Sequence, residues 1–129
     1  MLQGSFFHIK QITEKQDDEI QEPSVSSYNV TITLDAAHPI YSGHFPGNPV
    51  VPGVCQVRMI TEIVSEITQK KMKLLEGDHI KFLSMINPNE HSVLTVDCTL
   101  KENEPGIIRV TASISDNEVV FFKCKSLLA

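Results

Sequence analysis

Val54-Cys55-Gln56-Val57-Arg58-Met59-Ile60-Thr61-Glu62-Ile63-Val64-Ser65-Glu66-Ile67-Thr68-Gln69 decides the fold. The run holds no Gly or Pro, and the helical pattern continues to about Met72. At about 100° per residue, Val54, Val57, Met59, Ile60, Ile63, Val64 and Ile67 cover a broad apolar arc. Arg58, Glu62, Ser65 and Gln69 form a narrow polar stripe. Gln56 falls inside the apolar arc, an odd place for an amide. Lys70, Lys71 and Lys73 suit a helix C-terminus, and Gly77 can help end it. The sequence therefore predicts one long helix from Val54.

The stretch before it is of another kind. Residues 38–53 contain four of the seven prolines and three of the six glycines. Each Pro fixes φ and removes a donor, and the residue before it is pushed out of the helical region. Residues 38–53 are thus expected to be a stiff, irregular loop. Outside loop and helix the pattern is that of strands. Residues 5–12 are rich in β-formers, 13–26 read as a polar turn or loop, and 28–34 alternate cleanly (Tyr28, Val30, Ile32 and Leu34 against Asn29, Thr31 and Thr33). Four more strands are expected over 79–86, 92–101, 106–115 and 118–127. Asn87-Pro88-Asn89, Glu104-Pro105-Gly106 and Asp116-Asn117 supply the turns. Strand, strand, long helix, four strands makes an α+β fold, with one helix against an antiparallel sheet.

The 129 residues fit one domain, 1–129, with a sizeable core. Hydrophobic residues at 41% and charged residues at 21% argue for a globular chain and against disorder. The net charge of −5 argues against non-specific binding of nucleic acid or anionic membranes. Cys55, Cys98 and Cys124 have no metal-like spacing and read as reduced thiols of a cytoplasmic protein. The N-terminal residues show no signal-peptide pattern, and no apolar run approaches a membrane span. His8, His38, His79 and His91 share no metal-ligand spacing, and no cofactor fingerprint is present.

Chemistry is concentrated where the loop enters the helix. A helix start leaves orphan N–H groups with partial positive charge, usually capped by Ser, Thr, Asp or Asn. Val50-Val51-Pro52-Gly53 supplies no such side chain. Free donors there can hold a carbonyl oxygen that gains negative charge. His44, on the same loop, carries an imidazole suited to proton transfer near neutrality. The residues alone leave a second reading open: Gly53 as a plain cap with water on its donors, His44 as a surface histidine, and Arg58/Glu62 as a solvated ion pair.

The run Gly43-His44-Phe45-Pro46-Gly47-Asn48-Pro49-Val50-Val51-Pro52-Gly53-Val54 resembles the signature of the hotdog-fold 3-hydroxyacyl-acyl-carrier-protein dehydratases, G-H-F-P-G-x-P-[VI]-x-P-G-[VC]. More weakly, Ile80-Lys81-Phe82 followed by Asn87-Pro88 is similar to that family's third strand and turn. The resemblance implies a hotdog fold: a curved antiparallel sheet of about six strands wrapping one long central helix. It implies a homodimer with its sites at the subunit interface, and His44 taking a proton from C2 of a 3-hydroxyacyl thioester. It implies that the amides of Gly53 and Val54 polarise the carbonyl, that Phe45 and Pro52 line the substrate channel, and that an acyl carrier protein delivers the chain on phosphopantetheine.

The sequence departs from the pattern at the acid. Five residues after Gly53, where the family carries Glu or Asp, stands Arg58, which stays protonated and is no practical acid near neutrality. Glu62, one turn on, is a substitute acid candidate, although pairing with Arg58 would oppose that role. Alternatively, His44 does both proton jobs, or a related hotdog subunit supplies the acid in a heterodimer. Arg58 itself is a candidate for holding an anionic substrate group. The alternative functions are a non-catalytic acyl-binding subunit and a hotdog thioesterase.

Overall fold

The computed structural model describes residues 1–15, 24–43 and 47–129. In chain order the elements are β1 (Phe7–Lys15), β2 (Val25–Leu34), a 3₁₀ turn (Pro39–Tyr41), α1 (Gly53–Thr68), β3 (Leu74–Phe82), β4 (Val93–Glu104), β5 (Ile107–Asp116) and β6 (Val119–Leu128). The strands form one six-stranded sheet in the order β1-β2-β4-β5-β6-β3, and every neighbouring pair is antiparallel. One helix against this sheet is the hotdog arrangement.

The alternation read from the sequence sets which face is buried. Val30, Val96, Ile114 and Phe122 lie opposite one another across four strands and are all fully buried. The next row, Cys98, Ala112 and Cys124, is buried on the same face. Met59, Ile60, Ile63 and Val64 of α1 share that core. Burying a side chain of this size is worth about 1.5–3 kcal/mol, so the helix is held by its apolar face far more than by its propensity. The opposite face of the sheet carries Asp97, Ser113, Lys123 and Lys81 in one row and Thr99, Thr111, Lys125 and His79 in the next.

Several element boundaries differ from the sequence reading. The helix ends at Thr68, not near Met72, because Gln69 turns into the left-handed region (φ 55°) and returns its N–H to the Ser65 carbonyl. Ser65 Oγ then accepts the amide of Met72 at 3.0 Å. Lys70, Lys71 and Lys73 therefore lie beyond the helix. Gly77 does not end it; it lies inside β3 beside a register shift. That strand starts at Leu74, five residues before the expected 79, and stops at Phe82. The expected loop over 13–26 is shortened from both sides, since β1 runs to Lys15 and β2 begins at Val25. Lys15 reaches Asp97 at 2.6 Å, and Ser27 shares a hydroxyl bond with Thr99 at 2.9 Å. The rest of that segment, 16–23, lies outside the described residues.

Candidate active site at the start of the helix

Pro52 is the N-cap of α1, and no side chain caps the helix. Its carbonyl accepts the amides of Cys55 at 3.0 Å and Gln56 at 3.1 Å. The amides of Gly53 and Val54 have no acceptor among the described residues. The orphan donors inferred from the sequence are thus present as a pair. Just upstream, the Val51 amide is fastened to the Ile86 carbonyl at 2.9 Å, which fixes the entry angle of the helix.

Gly53 sits against the tip of the Phe82 side chain. A Cβ at that position would come within 2.8 Å of the Phe82 ring. Phe82, at the end of β3, is 55% exposed and covers one side of the helix start. Val54, placed in the apolar arc by the sequence, is 77% exposed instead, while Cys55 and Gln56 beside it are buried. His44 and Phe45 lie outside the described residues, so the site is built from the helix side.

Arg58 Nε stands 3.4 Å from Glu62 Oε2, as the i,i+4 spacing predicts. Glu62 has a further set of partners that the sequence did not signal. Both its oxygens accept the Leu2 amide at 2.9 Å, and Oε1 also accepts the Gln3 amide at 2.8 Å. The carboxylate ties the first turn of the chain to the helix. Arg58, Glu62, Val54, Val57 and Thr61 line one side of a groove of about 910 Å³ along α1, with Met1, Gln3 and Leu74 among its other walls.

Behind the helix start lies a second feature. Gln56, singled out by its place in the apolar arc, is indeed buried, at 3% exposure. Its Nε2 donates to the Val51 carbonyl at 3.2 Å. Tyr41, stacked on Phe6, is 6% exposed. Burial, then the neighbouring Cys55 and Asp35, push the Tyr41 phenol well above its ordinary range, so it stays neutral. Among the described residues no cluster of His, Cys, Asp and Glu is placed to hold a metal ion, and no helix is long and apolar enough to cross a membrane.

An antiparallel sheet around one helix, with open amides where a Pro/Gly loop enters that helix, defines a protein of the hotdog class. The profile of the ApeI-like family, described as ApeI dehydratase, matches residues 18–121, and the chain belongs to that family. It is 29% identical over 102 residues to the 3-hydroxyacyl-[acyl-carrier-protein] dehydratase FabZ of Pediococcus pentosaceus, covering 74% of this chain and 66% of the relative. The FabZ of Streptococcus equi subsp. zooepidemicus is 29% identical over 113 residues, covering 82% and 75%.

Among solved structures, an uncharacterized protein from Erwinia carotovora superposes with a TM-score of 0.70 at 19% identity, over 94% of both chains. The dehydratase heterocomplex ApeI:P from Xenorhabdus doucetiae gives 0.55 at 16% identity, over 93% of this chain and 99% of that one. A putative thioesterase from Lactococcus lactis gives 0.60 at 13% identity, over 94% and 90%. At these identities the structural likenesses establish the hotdog fold.

Proposed function

We propose that the chain removes water from 3-hydroxyacyl thioesters carried by an acyl carrier protein, giving the 2-enoyl thioester, in fatty-acid or polyene-type lipid synthesis. The observation that carries this reading is the pair of open amides, Gly53 and Val54, at an uncapped helix start directly after the His44 loop. Bonded to the thioester carbonyl, they stabilise the enolate-like charge that develops as C2 loses its proton. One such donor is worth about 10²–10³-fold in rate.

His44 takes the C2 proton. The electron pair forms the C2–C3 double bond, the C3–O bond breaks, and the imidazolium returns the proton to the departing hydroxyl as water. This two-way use of His44 is favoured over Glu62 as acid, because the Glu62 carboxylate already accepts the Leu2 and Gln3 amides and faces Arg58. Phe45 and Pro52 line the acyl channel, and Arg58 on the groove wall meets an anionic part of the carrier arm.

The assembly is a dimer, homomeric or with a related hotdog subunit. Strand β3 bonds to β6 on one side, and Leu74, Leu75 and Phe82 along it are exposed apolar residues, as are Leu83 and Met85 just beyond. Together they suit a covered interface better than open water.

The test is turnover of a 3-hydroxyacyl carrier substrate by wild type and His44→Ala. Loss of 2-enoyl product on replacing His44 is expected, and a wild type that leaves the substrate intact ends the reading. Arg58 at the acid position favours a second reading, an acyl-binding subunit that works beside an acid-bearing homologue. It predicts activity only after mixing with such a partner. Release of free thiol instead of 2-enoyl product would point to a thioesterase.

A further inference from the structure

Residues 83–92 join β3 to β4 without forming a strand or a helix, so their polar groups need partners outside any regular ladder. At one end the amides of Leu83 and Ser84 reach the Phe121 carbonyl of β6, at 2.8 and 3.2 Å. At the other the Ser92 carbonyl accepts the Leu34 amide at 2.8 Å. Between them Asn87 builds a tight turn. Its carbonyl accepts the amides of Glu90 at 3.1 Å and His91 at 2.8 Å, and its Oδ1 accepts the amide of Asn89 at 2.9 Å. Directly before this turn stands Ile86, whose carbonyl accepts the Val51 amide at the helix entry. Ile86 and Val51 are both buried.

The side chain of His91 fastens the turn to the sheet. Its Nδ1 stands 2.7 Å from Asp116 Oδ2 at the end of β5, and its ring meets Phe121 edge-on with centroids 4.8 Å apart. A carboxylate only accepts, so Nδ1 carries the hydrogen and donates it. Hydrogen bonds to a charged acceptor are short and stronger than neutral ones, and both side chains here are about three-quarters shielded from water. The connection from sheet to site is therefore continuous. Asp116 holds the His91 ring at 2.7 Å, the His91 amide holds Asn87 at 2.8 Å, and the adjoining Ile86 holds Val51 at 2.9 Å.

Val51 matters because no side chain caps α1, so its first turn takes its direction from the chain that enters it. Donors aimed at a developing charge must be held closely, since a displacement of about 1 Å can cost about 10²-fold in rate. We infer that His91 is a positioning residue: paired with Asp116, it braces the 86–91 turn against the sheet and keeps the Gly53 and Val54 amides aimed at the acyl carbonyl. The reaction it serves rests on the dehydratase reading, whereas the direction of the two amides can be measured without it. His91 itself touches no reacting atom and moves no proton of the substrate.

The experiment compares wild type with His91→Ala, His91→Asn, Asp116→Ala and the double alanine variant. Asparagine keeps an N–H close to the place of Nδ1. Lys15→Ala is the control, since it breaks the Lys15–Asp97 pair on the opposite face of the sheet. Backbone amide resonances are recorded for all, and kcat and KM are measured with a 3-hydroxyacyl-pantetheine well below each melting temperature. In His91→Ala and Asp116→Ala the resonances of Val51, Gly53 and Val54 should move by more than a linewidth, while those of Ile63 and Val64 in the middle of α1 stay in place. kcat should fall about tenfold with KM within twofold, less than the 10²–10³ of losing a donor outright. His91→Asn should stay near wild type on both readouts, and the double variant should lose no more than His91→Ala, because the two residues act through one bond.

Unmoved Val51, Gly53 and Val54 resonances in the alanine variants would overturn the inference. So would a Lys15→Ala protein with the same changes, which would show general loosening, or single losses that add fully in the double variant. An asparagine variant as impaired as alanine would assign the effect to ring packing on Phe121 and also overturn it. Resonances that move as expected in a protein without turnover leave the brace standing and end the dehydratase reading. A wild type that dehydrates, with kcat indifferent to His91 and Asp116, ends the positioning role and leaves dehydration in place.

Discussion

Replacing Glu62 separates an anchor from an acid. Its carboxylate accepts the amides of Leu2 and Gln3 at 2.8–2.9 Å and is largely shielded from water. A hydrogen bond to a charged group is worth about 1.5–3 kcal/mol, and removing the acceptor strands both donors. The pair with the well-exposed Arg58 adds at most about 0.5 kcal/mol. Allowing for overlap between the two amide bonds, Glu62→Ala should cost about 2–4 kcal/mol. Glu62→Gln keeps an oxygen at the position of Oε1, which alone serves both amides, and should cost about 1 kcal/mol. Urea denaturation reads the difference: with a slope of about 2 kcal/mol per molar, the alanine variant unfolds about 1–2 M earlier and the glutamine variant about 0.5 M earlier. The same two proteins report on catalysis. An anchor predicts that Glu62→Gln keeps turnover within a few-fold, since no proton leaves from that site. Equal destabilisation of the two variants would refute the hydrogen-bond account. A glutamine variant that is stable yet about 10² slower would make Glu62 the proton donor after all.

Four further outcomes are expected. Arg58→Glu restores a carboxyl at the family's acid position, and 2-enoyl hydration should rise about 10²–10⁴-fold if the native site lacks a strong acid; a fall would assign Arg58 to the substrate. Lys81 and Lys123 lie directly opposite across β3 and β6, so Lys123→Glu should stabilise by about 0.2–1 kcal/mol in low salt, and a loss would dismiss cross-strand repulsion. Burial would raise the Asp97 carboxyl, but bonds from Lys15 and Asn29 outweigh it and hold the group below its ordinary value. A depressed carboxyl stabilises the fold above its unfolded pKa and loses that contribution as pH falls through the folded one. Asp97→Asn should therefore flatten the loss of stability below about pH 4, and an unaltered acid limb would exclude Asp97. Burial pushes the Cys98 thiol up to about 12 and the Cys124 thiol up to about 11, and it raises Cys55 as well. All three should resist a neutral-pH thiol reagent until denaturant is added; fast labelling of the native protein would contradict the packing.

What could be read in the amino acids, and what could not, divides by the range of the interaction. The uncapped helix start is a local property of Val50-Val51-Pro52-Gly53 and was legible, as was the misplaced amide of Gln56. Strand alternation over 28–34 correctly placed Val30, Ile32 and Leu34 on the buried face, because the period of a strand is local too. Failures arose where partners are distant. Glu62 meets amides 59 and 60 positions away, for which no spacing rule exists. Val54 is apolar yet exposed although Cys55 and Gln56 beside it are buried, which the periodicity alone did not indicate. Gln69 ends the helix without a glycine, so the run to Met72 gave no warning. Glycine at 77 suggested a terminus and was instead a strand irregularity, which shifted the expected start of β3 by five residues.

The strand order carries a consequence for how the molecule comes into being. Although β6 is last in sequence, it lies between β5 and β3, so β3 has no sheet neighbour until residues 119–128 are available. A nascent chain halted near Asn117 would carry a finished helix and an orphaned ribbon, with the greasy side chains of residues 74–82 and bare backbone on both flanks. Ribosome stalling or a late frameshift should thus yield aggregation rather than a partly working protein, since the closing hairpin acts as the latch of the whole sheet.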